Sequence, residues 1–406
     1  MERSVLIDNR KDNTYHQILS LLSYTGDIGI SIFQLMEISY KKWYKTINRM
    51  MEEKKYKTPE GETFKLCLCR KTAPRHYPIS YSLTFDTFRS GILDIMGYQY
   101  QKYYETYHLH TREHIKPSIR TRNVQLAEIV AMIHHFDTLI YPHEKNIPEM
   151  YFDKQFEFLR LSPDFIPSTH NVFYSSVEIK RYNEQLHKDV SGINIARGTY
   201  RGLWIMNNIG YIIYYQTEKP LHRFFVAEKR TTILTEGFIK SASPRERKIN
   251  QIVNRSIIFG KRNCTKTIDN LLKDQNNVGM SLYAYEHFVP IEHYKEVMPW
   301  IICENYEQFV NEHIIKSKVP YDKTKFWHGV NKKNEKTICL FDYNLTMIQK
   351  LKLLLDQNPN ERYRIICFDW QAPVMRSYYE GKVKISVLNQ LPDNLYQRLN
   401  IKSDLA

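Results

Sequence analysis

The chain has 406 residues, 42% hydrophobic and 25% charged, ordinary proportions for a globular protein with room for two or three domains. Its 58 basic and 44 acidic residues leave a formal net charge of +14, which favours an acidic polymer, nucleic acid above all, as partner. No apolar run approaches the roughly 20 residues that span a bilayer. The N-terminal MERSVLIDNRKDNTYHQ lacks an apolar signal core, so no membrane partner and a cytoplasmic location are expected.

The cations are unevenly placed: Met1 to Arg122 holds 20 Lys/Arg against 13 Asp/Glu. Within that stretch Tyr15, Ile18, Leu21 and Leu22 recur at helical spacing, and Thr25-Gly26-Asp27 is a stop signal. Ser31 is a candidate N-cap for a short second helix through Ile32, Phe33 and Leu35. After a tight turn at Glu37-Ile38-Ser39, SYKKWYKTINRMMEEKKY reads as a third helix. Its Trp43, Ile47, Met50 and Met51 form an apolar stripe, while Lys41, Lys42, Lys45, Asn48 and Arg49 fall mainly outside it. Two alternating segments follow, Phe64 to Lys71 and Ile79 to Thr84, joined by a loop that carries Arg75 and His76. Three helices and then a β-hairpin is the order of a winged helix-turn-helix, assigned to residues 1–97, whose third helix enters the major groove. Lys, Arg and Asn are the side chains that hold phosphates and read purine edges. The plainer reading is a solvated Lys-rich face, or a surface for protein contacts.

Residues 98–244 are expected to form a basic connector and a central α/β domain. In the connector, Arg112, Lys116, Arg120 and Arg122 are candidate phosphate contacts. His108-Leu109-His110 has the bare His-hydrophobe-His pattern of a nicking centre but polar flanks. Asn123 to Ile140 reads as an amphipathic helix with Leu126, Ile129, Val130 and Ile133 on one side. Next comes PDFIPSTHNVFYSSVEIKR, Pro163 to Arg181, the written form of a PD-(D/E)XK nuclease centre. Period two places Glu178 and Lys180 on one face of a strand and Val177 and Ile179 on the other. In that reading Asp164 and Glu178 hold Mg²⁺, with Glu128 as a possible further carboxylate, and Lys180 activates the attacking water. Against it, the acid-x-Lys triplet recurs at Glu52/Lys54, Glu53/Lys55 and Glu380/Lys382. A hairpin turn near Thr169 would also pair Asp164 with Ser175, three residues short of Glu178. Further on, RGTYRGLWIMNNIGYIIYYQ reads as two strands about Asn207-Asn208, with Arg197, Arg201 and Trp204 either meeting nucleic acid or packing.

The YSLT-ended winged helix, the basic run into Asn123-Val-Gln-Leu-Ala-Glu128 and the FYSSVEIK strand together resemble the replication-relaxation family. These are proteins of plasmids and conjugative elements in low-GC Gram-positive bacteria, with a winged helix joined to a nuclease-like α/β domain that is often degenerate. The resemblance covers roughly residues 10 to 240. It implies duplex DNA binding in replication, DNA relaxation or transfer, with other replication or mobilisation proteins as further partners. It carries over no firm catalytic set, although Glu178 and Lys180 match the nuclease-like strand and Asp164 matches it loosely.

Residues 245–406 read as a third part. Arg255 to Gly260 is a short buried strand, and KTICLFDYN, LTMIQKLKLLLDQ, RYRIICFDW and VKISVL spell β-α-β-(α)-β, a small parallel sheet. Asp342 and Asp369 fall at strand carboxyl ends, where open α/β sheets bind ligands; no glycine-rich phosphate loop accompanies them. The six cysteines (Cys67, Cys69, Cys264, Cys303, Cys339, Cys367) are scattered and suit buried thiols. The leading expectation is an α+β and α/β multidomain DNA-binding accessory protein that needs no cofactor. The alternatives are a Mg²⁺-dependent endonuclease and a protein-binding assembly factor.

Overall fold

The computed structural model describes residues 5–6, 14–57, 63–89, 116–136, 150–153, 158–161, 172–180, 199–217, 223–242, 252–260, 272 and 282–388. It is a mixed α/β structure with several sheets, and its contacts divide the chain into two units. One comprises Met1–Ile195, Arg201–Asn208 and Gly237–Ile249; the other comprises Ala196–Tyr200, Ile209–Glu236 and Asn250–Ala406. The expected boundaries after residues 97 and 244 both lie outside the described residues. No described helix is long and apolar enough to cross a membrane.

In the first unit, β1 (Val5–Leu6) runs parallel to β3 (Lys54–Lys57). Helix α1 (Thr14–Thr25) buries Ile18 and Leu22 and ends where Gly26, at φ +84°, donates to the Leu22 carbonyl at 2.8 Å. The expected stop is there, but the chain then forms a strand, β2 (Asp27–Gly29), before α2 (Ile32–Leu35). Ser31 does not cap α2. Ser39 does cap α3 (Tyr40–Met51), its hydroxyl accepting from the Lys42 N–H. The single strand expected from Phe64 to Lys71 is two strands. β4 (Thr63–Leu66) pairs with β3, and β5 (Cys69–Thr72) pairs with β6 (Ser80–Leu83), so the partner changes at Cys67-Leu68. β6 also pairs antiparallel with β2, giving a three-stranded sheet in the order β2-β6-β5.

After α4 (Phe85–Arg89), helix α5 (Pro117–Phe136) packs against β2, β6, α1 and α2. Every residue from Asn123 to Ile133 is buried, so this stretch of α5 is enclosed on all sides rather than amphipathic. Gly29 lets the helix approach: a β-carbon there would lie 2.8 Å from Val124 Cγ1. The polar residues of the enclosed stretch all have partners. Asn123 donates to Asp27 Oδ2 at 2.9 Å, Gln125 accepts from Arg201 Nε and Nη2 at 3.0 and 2.7 Å, and Glu128 accepts from the Ser31 hydroxyl. β7 (Met150–Asp153) and β8 (Phe158–Leu161) pair antiparallel, as do β9 (Val172–Ser175) and β10 (Gly202–Met206). Trp204 is fully buried, so it packs rather than meeting nucleic acid. Arg197 lies outside the described residues.

In the second unit, β11 (Ile209–Gln216), β12 (Arg255–Gly260) and β13 (Tyr285–Pro290) are parallel neighbours. Asn207 and Asn208, both at positive φ, turn the chain before β11, and α6 (Phe225–Ala242) lies between β11 and β12 in sequence. α7 (Tyr294–Ile302) and α8 (Tyr306–Phe309) precede the last sheet. That sheet runs β14 (Gly329–Val330), β15 (Lys336–Cys339), β16 (Tyr363–Cys367), β17 (Lys384–Val387), parallel except for β14. Between its parallel strands come α9 (Leu345–Gln357) and α10 (Ala372–Tyr379). The spelled β-α-β-α-β alternation thus forms the parallel connections that its periodicity implied. Trp300, Phe341 and Phe368 join the core beside it. Cys69, Cys339 and Cys367 are buried thiols, Cys67 and Cys303 half-buried ones.

Candidate nucleic-acid interface

Helix α3 owes its orientation to Trp43, Thr46, Ile47 and Met50, all buried. At about 100° per residue these four fill an arc of about 100°, and the rest of the helix holds Tyr40, the half-buried Met51, Tyr44, Asn48, Lys41, Lys45, Arg49 and Lys42 in angular order. The four cations are exposed and Asn48 is half-buried. The helix contains no acidic residue. Sequence reasoning missed the tyrosines. Tyr40 and Tyr44 are 54% and 56% exposed with their rings 6.0 Å apart, and Phe33 meets the Tyr40 ring edge-on at 5.3 Å. Their i, i+4 spacing beside Lys41 and Lys45 was the available signal.

The first turn of α3 runs against helix electrostatics. Lys41 and Lys42 sit at the pole where the macrodipole is positive and an acidic residue would be favoured. Lys42 occupies the third helical position after the Ser39 cap, the place of Glu or Gln in a capping box. The sequence thus concentrates positive potential at this pole at some cost to the helix. α3 packs against β5, and the loop from β5 to β6 exposes Arg75, His76 and Tyr77. The Tyr77 N–H closes that loop on the Pro74 carbonyl at 3.2 Å, with His76 at φ +66°.

The other expected contacts fare differently. Arg112, His108 and His110 lie outside the described residues, and Arg122 is exposed on α5. Arg120 is not on a phosphate-facing surface. Its Nη1 meets the fully buried Asp27 carboxylate at 3.1 Å and reaches Ser82 Oγ at 3.3 Å and Thr72 Oγ1 at 3.4 Å, tying α5 to all three strands of the sheet.

The nuclease strand is corrected as well. β9 ends at Ser175, and residues 176–180 are helical, so Glu178 and Lys180 no longer share a face. Glu178 is buried, and its Oε2 accepts from the Ser175 N–H at 2.6 Å and the Tyr24 hydroxyl at 3.2 Å; its own N–H donates to Ser175 Oγ at 3.3 Å. This reciprocal pair is a capping box, spelled Ser-x-x-Glu in the sequence, and it explains a carboxylate before Ile179 without any metal. Lys180 is exposed and Asp164 lies outside the described residues. Glu128, engaged by Ser31, joins α5 to the start of α2.

At the sheet ends of the second unit, Asp342 is buried beside His287, Oδ2 to Nδ1 at 3.3 Å, while Asp369 is exposed at the start of a short 3-10 turn. No family model, no curated protein and no solved structure matches the chain.

Proposed function

We propose that the chain is a duplex-DNA-binding protein whose first unit acts as a winged helix-turn-helix, with α3 as recognition helix and the β5–β6 loop as wing. The observation that carries this reading is the carboxylate-free arc of α3, where a strip of Lys41, Lys45, Arg49 and Lys42 adjoins Tyr40, Tyr44 and Asn48 on a well-packed helix. Cations supply the sequence-independent phosphate attraction, and Asn48 and Arg49 are of the type that reads base edges. The tyrosine hydroxyls add donors for phosphate oxygens. The chain order α1-β2-α2-α3-β3-β4-β5-β6 keeps three helices ahead of the β5–β6 hairpin, and with β2 closing the sheet against β6 it supports the same reading. The resemblance to the replication-relaxation family supports a cytoplasmic accessory role in replication, DNA relaxation or transfer of a mobile element, alongside other mobilisation proteins.

Fluorescence anisotropy on a labelled duplex across a salt series tests this. Log affinity is expected to fall linearly with log salt, and Lys42→Glu/Lys45→Glu to flatten the slope by about 1.8, near 0.9 per lost phosphate contact. Binding with no salt dependence, or a double variant that binds like the parent, would overturn the recognition-helix assignment. A protein-docking role for α3 would then be favoured.

A further inference from the structure

We propose that the cleft at the N-terminus of α9 in the second unit binds a phosphate-bearing ligand. The cleft measures about 150 Å³, small beside the roughly 300–1,000 Å³ of sites that enclose a drug-sized molecule. It suits one phosphate group with the remainder of the ligand lying outside. Lys323, Lys325 and Lys350 line it, and all three are exposed at its mouth. The 13-residue α9 begins there at Asn344, whose side chain accepts from the Met347 N–H at 3.2 Å, so the positive pole of the helix adds to the lysines.

Two buried side chains that line the cleft point independently to a ligand. Thr346, in the first turn of α9, is 1% exposed, and its Oγ1 has no partner among the described residues. His328 is 2% exposed and its Nε2 likewise has none. Its ring is held rigidly: Nδ1 accepts from the Cys339 N–H at 3.1 Å, and the His328 carbonyl accepts from Asn311 Nδ2 at 2.6 Å. With Nδ1 serving as acceptor, the neutral ring carries its proton on Nε2, a donor without a partner among the described residues. Burial pushes the ring's pKa down to about 4, so this tautomer persists at neutral pH. Orphaned buried donors are uncommon in native proteins, and two beside three lysines match the needs of a phosphate oxygen. Glu307 also lines the cleft, with its carboxyl pushed above the usual range by burial. Tyr321 and Phe326 also line the cleft, aromatic surface for whatever the phosphate carries. This inference does not depend on α3, and substitution of Lys42 and Lys45 is expected to leave it unchanged.

Calorimetric titration of the full chain at constant ionic strength tests it, using inorganic phosphate, adenosine 5′-monophosphate, and a tetranucleotide with and without a 5′-phosphate. Saturable binding of phosphate-bearing probes supports the site, provided that Thr346→Val and Lys350→Met each weaken it on the order of tenfold, the loss of about one charge-assisted hydrogen bond. Lys350 is exposed, so its variant keeps the fold. Lys332→Met/Lys333→Met, which removes two exposed cations elsewhere, should bind as the parent does. Tighter binding of the mononucleotide than of inorganic phosphate would identify a free nucleotide as the ligand class; preference for the phosphorylated tetranucleotide over the mononucleotide would identify a strand end. No saturable binding by any probe, or equal weakening in the Lys332/Lys333 control, would overturn the proposal.

Discussion

Two stretches of the first unit look alike as sequence. Lys41 to Arg49 and Lys116 to Arg122 both concentrate cations on helices, and both were expected to meet phosphate. In the fold, α3 turns its cations outward around an apolar stripe, whereas α5 is enclosed from Asn123 to Ile133 and directs Arg120 into the β2-β6-β5 sheet. One helix leaves its charge available to a ligand; the other has placed part of it in an internal ion pair. Local charge density is therefore a poor guide to function until the partner of each cation is known. The fate of Arg120 depended on Asp27, 93 residues earlier.

The comparison can be broken first by stability. Arg120→Ala removes the cation from the buried Asp27 carboxylate, which also accepts from the Asn123 amide. Removing one member of a buried pair is expected to cost about 3–5 kcal/mol in urea unfolding. A loss below about 1 kcal/mol would place Arg120 at the surface after all. The mirror experiment is Lys42→Glu/Lys45→Glu, expected to weaken duplex binding about 100-fold at low salt through lost phosphate contacts. Its unfolding midpoint should not fall.

Two smaller effects sharpen the contrast. Glu178→Ala removes one half of the capping box and an acceptor for Tyr24, for a loss of about 1 kcal/mol by thermal unfolding. Its DNA affinity should be unchanged; a Mg²⁺-dependent nicking activity that vanished with the substitution would instead restore Glu178 as a metal ligand. Lys42→Glu alone carries the subtlest expectation. It places an acid at the third position after Ser39 and at the positive pole of α3, so it should raise stability by roughly 0.3–1 kcal/mol while weakening DNA binding. A variant that gained stability without losing affinity would show that Lys42 takes no part in binding.

Some of this was legible in one dimension because it rests on local periodicity. The stripe Trp43-Ile47-Met50 and the turn residues before it sufficed to orient α3, since a helix face repeats every 3.6 residues whatever its surroundings. The parallel β-α-β alternation after residue 335 was readable for the same reason. The Ser175-x-x-Glu178 box was written there too, but it competed with an alternating pattern over the same residues. Over five residues a strand and a helix start can be written with the same residue types. Tertiary structure alone decided the rest: Arg120 meeting Asp27, strand β2 recruited by β6, the change of partner at Cys67-Leu68, and His328 and Thr346 brought to one cleft. Each depends on which distant segments the fold brings together, and no local pattern encodes that choice.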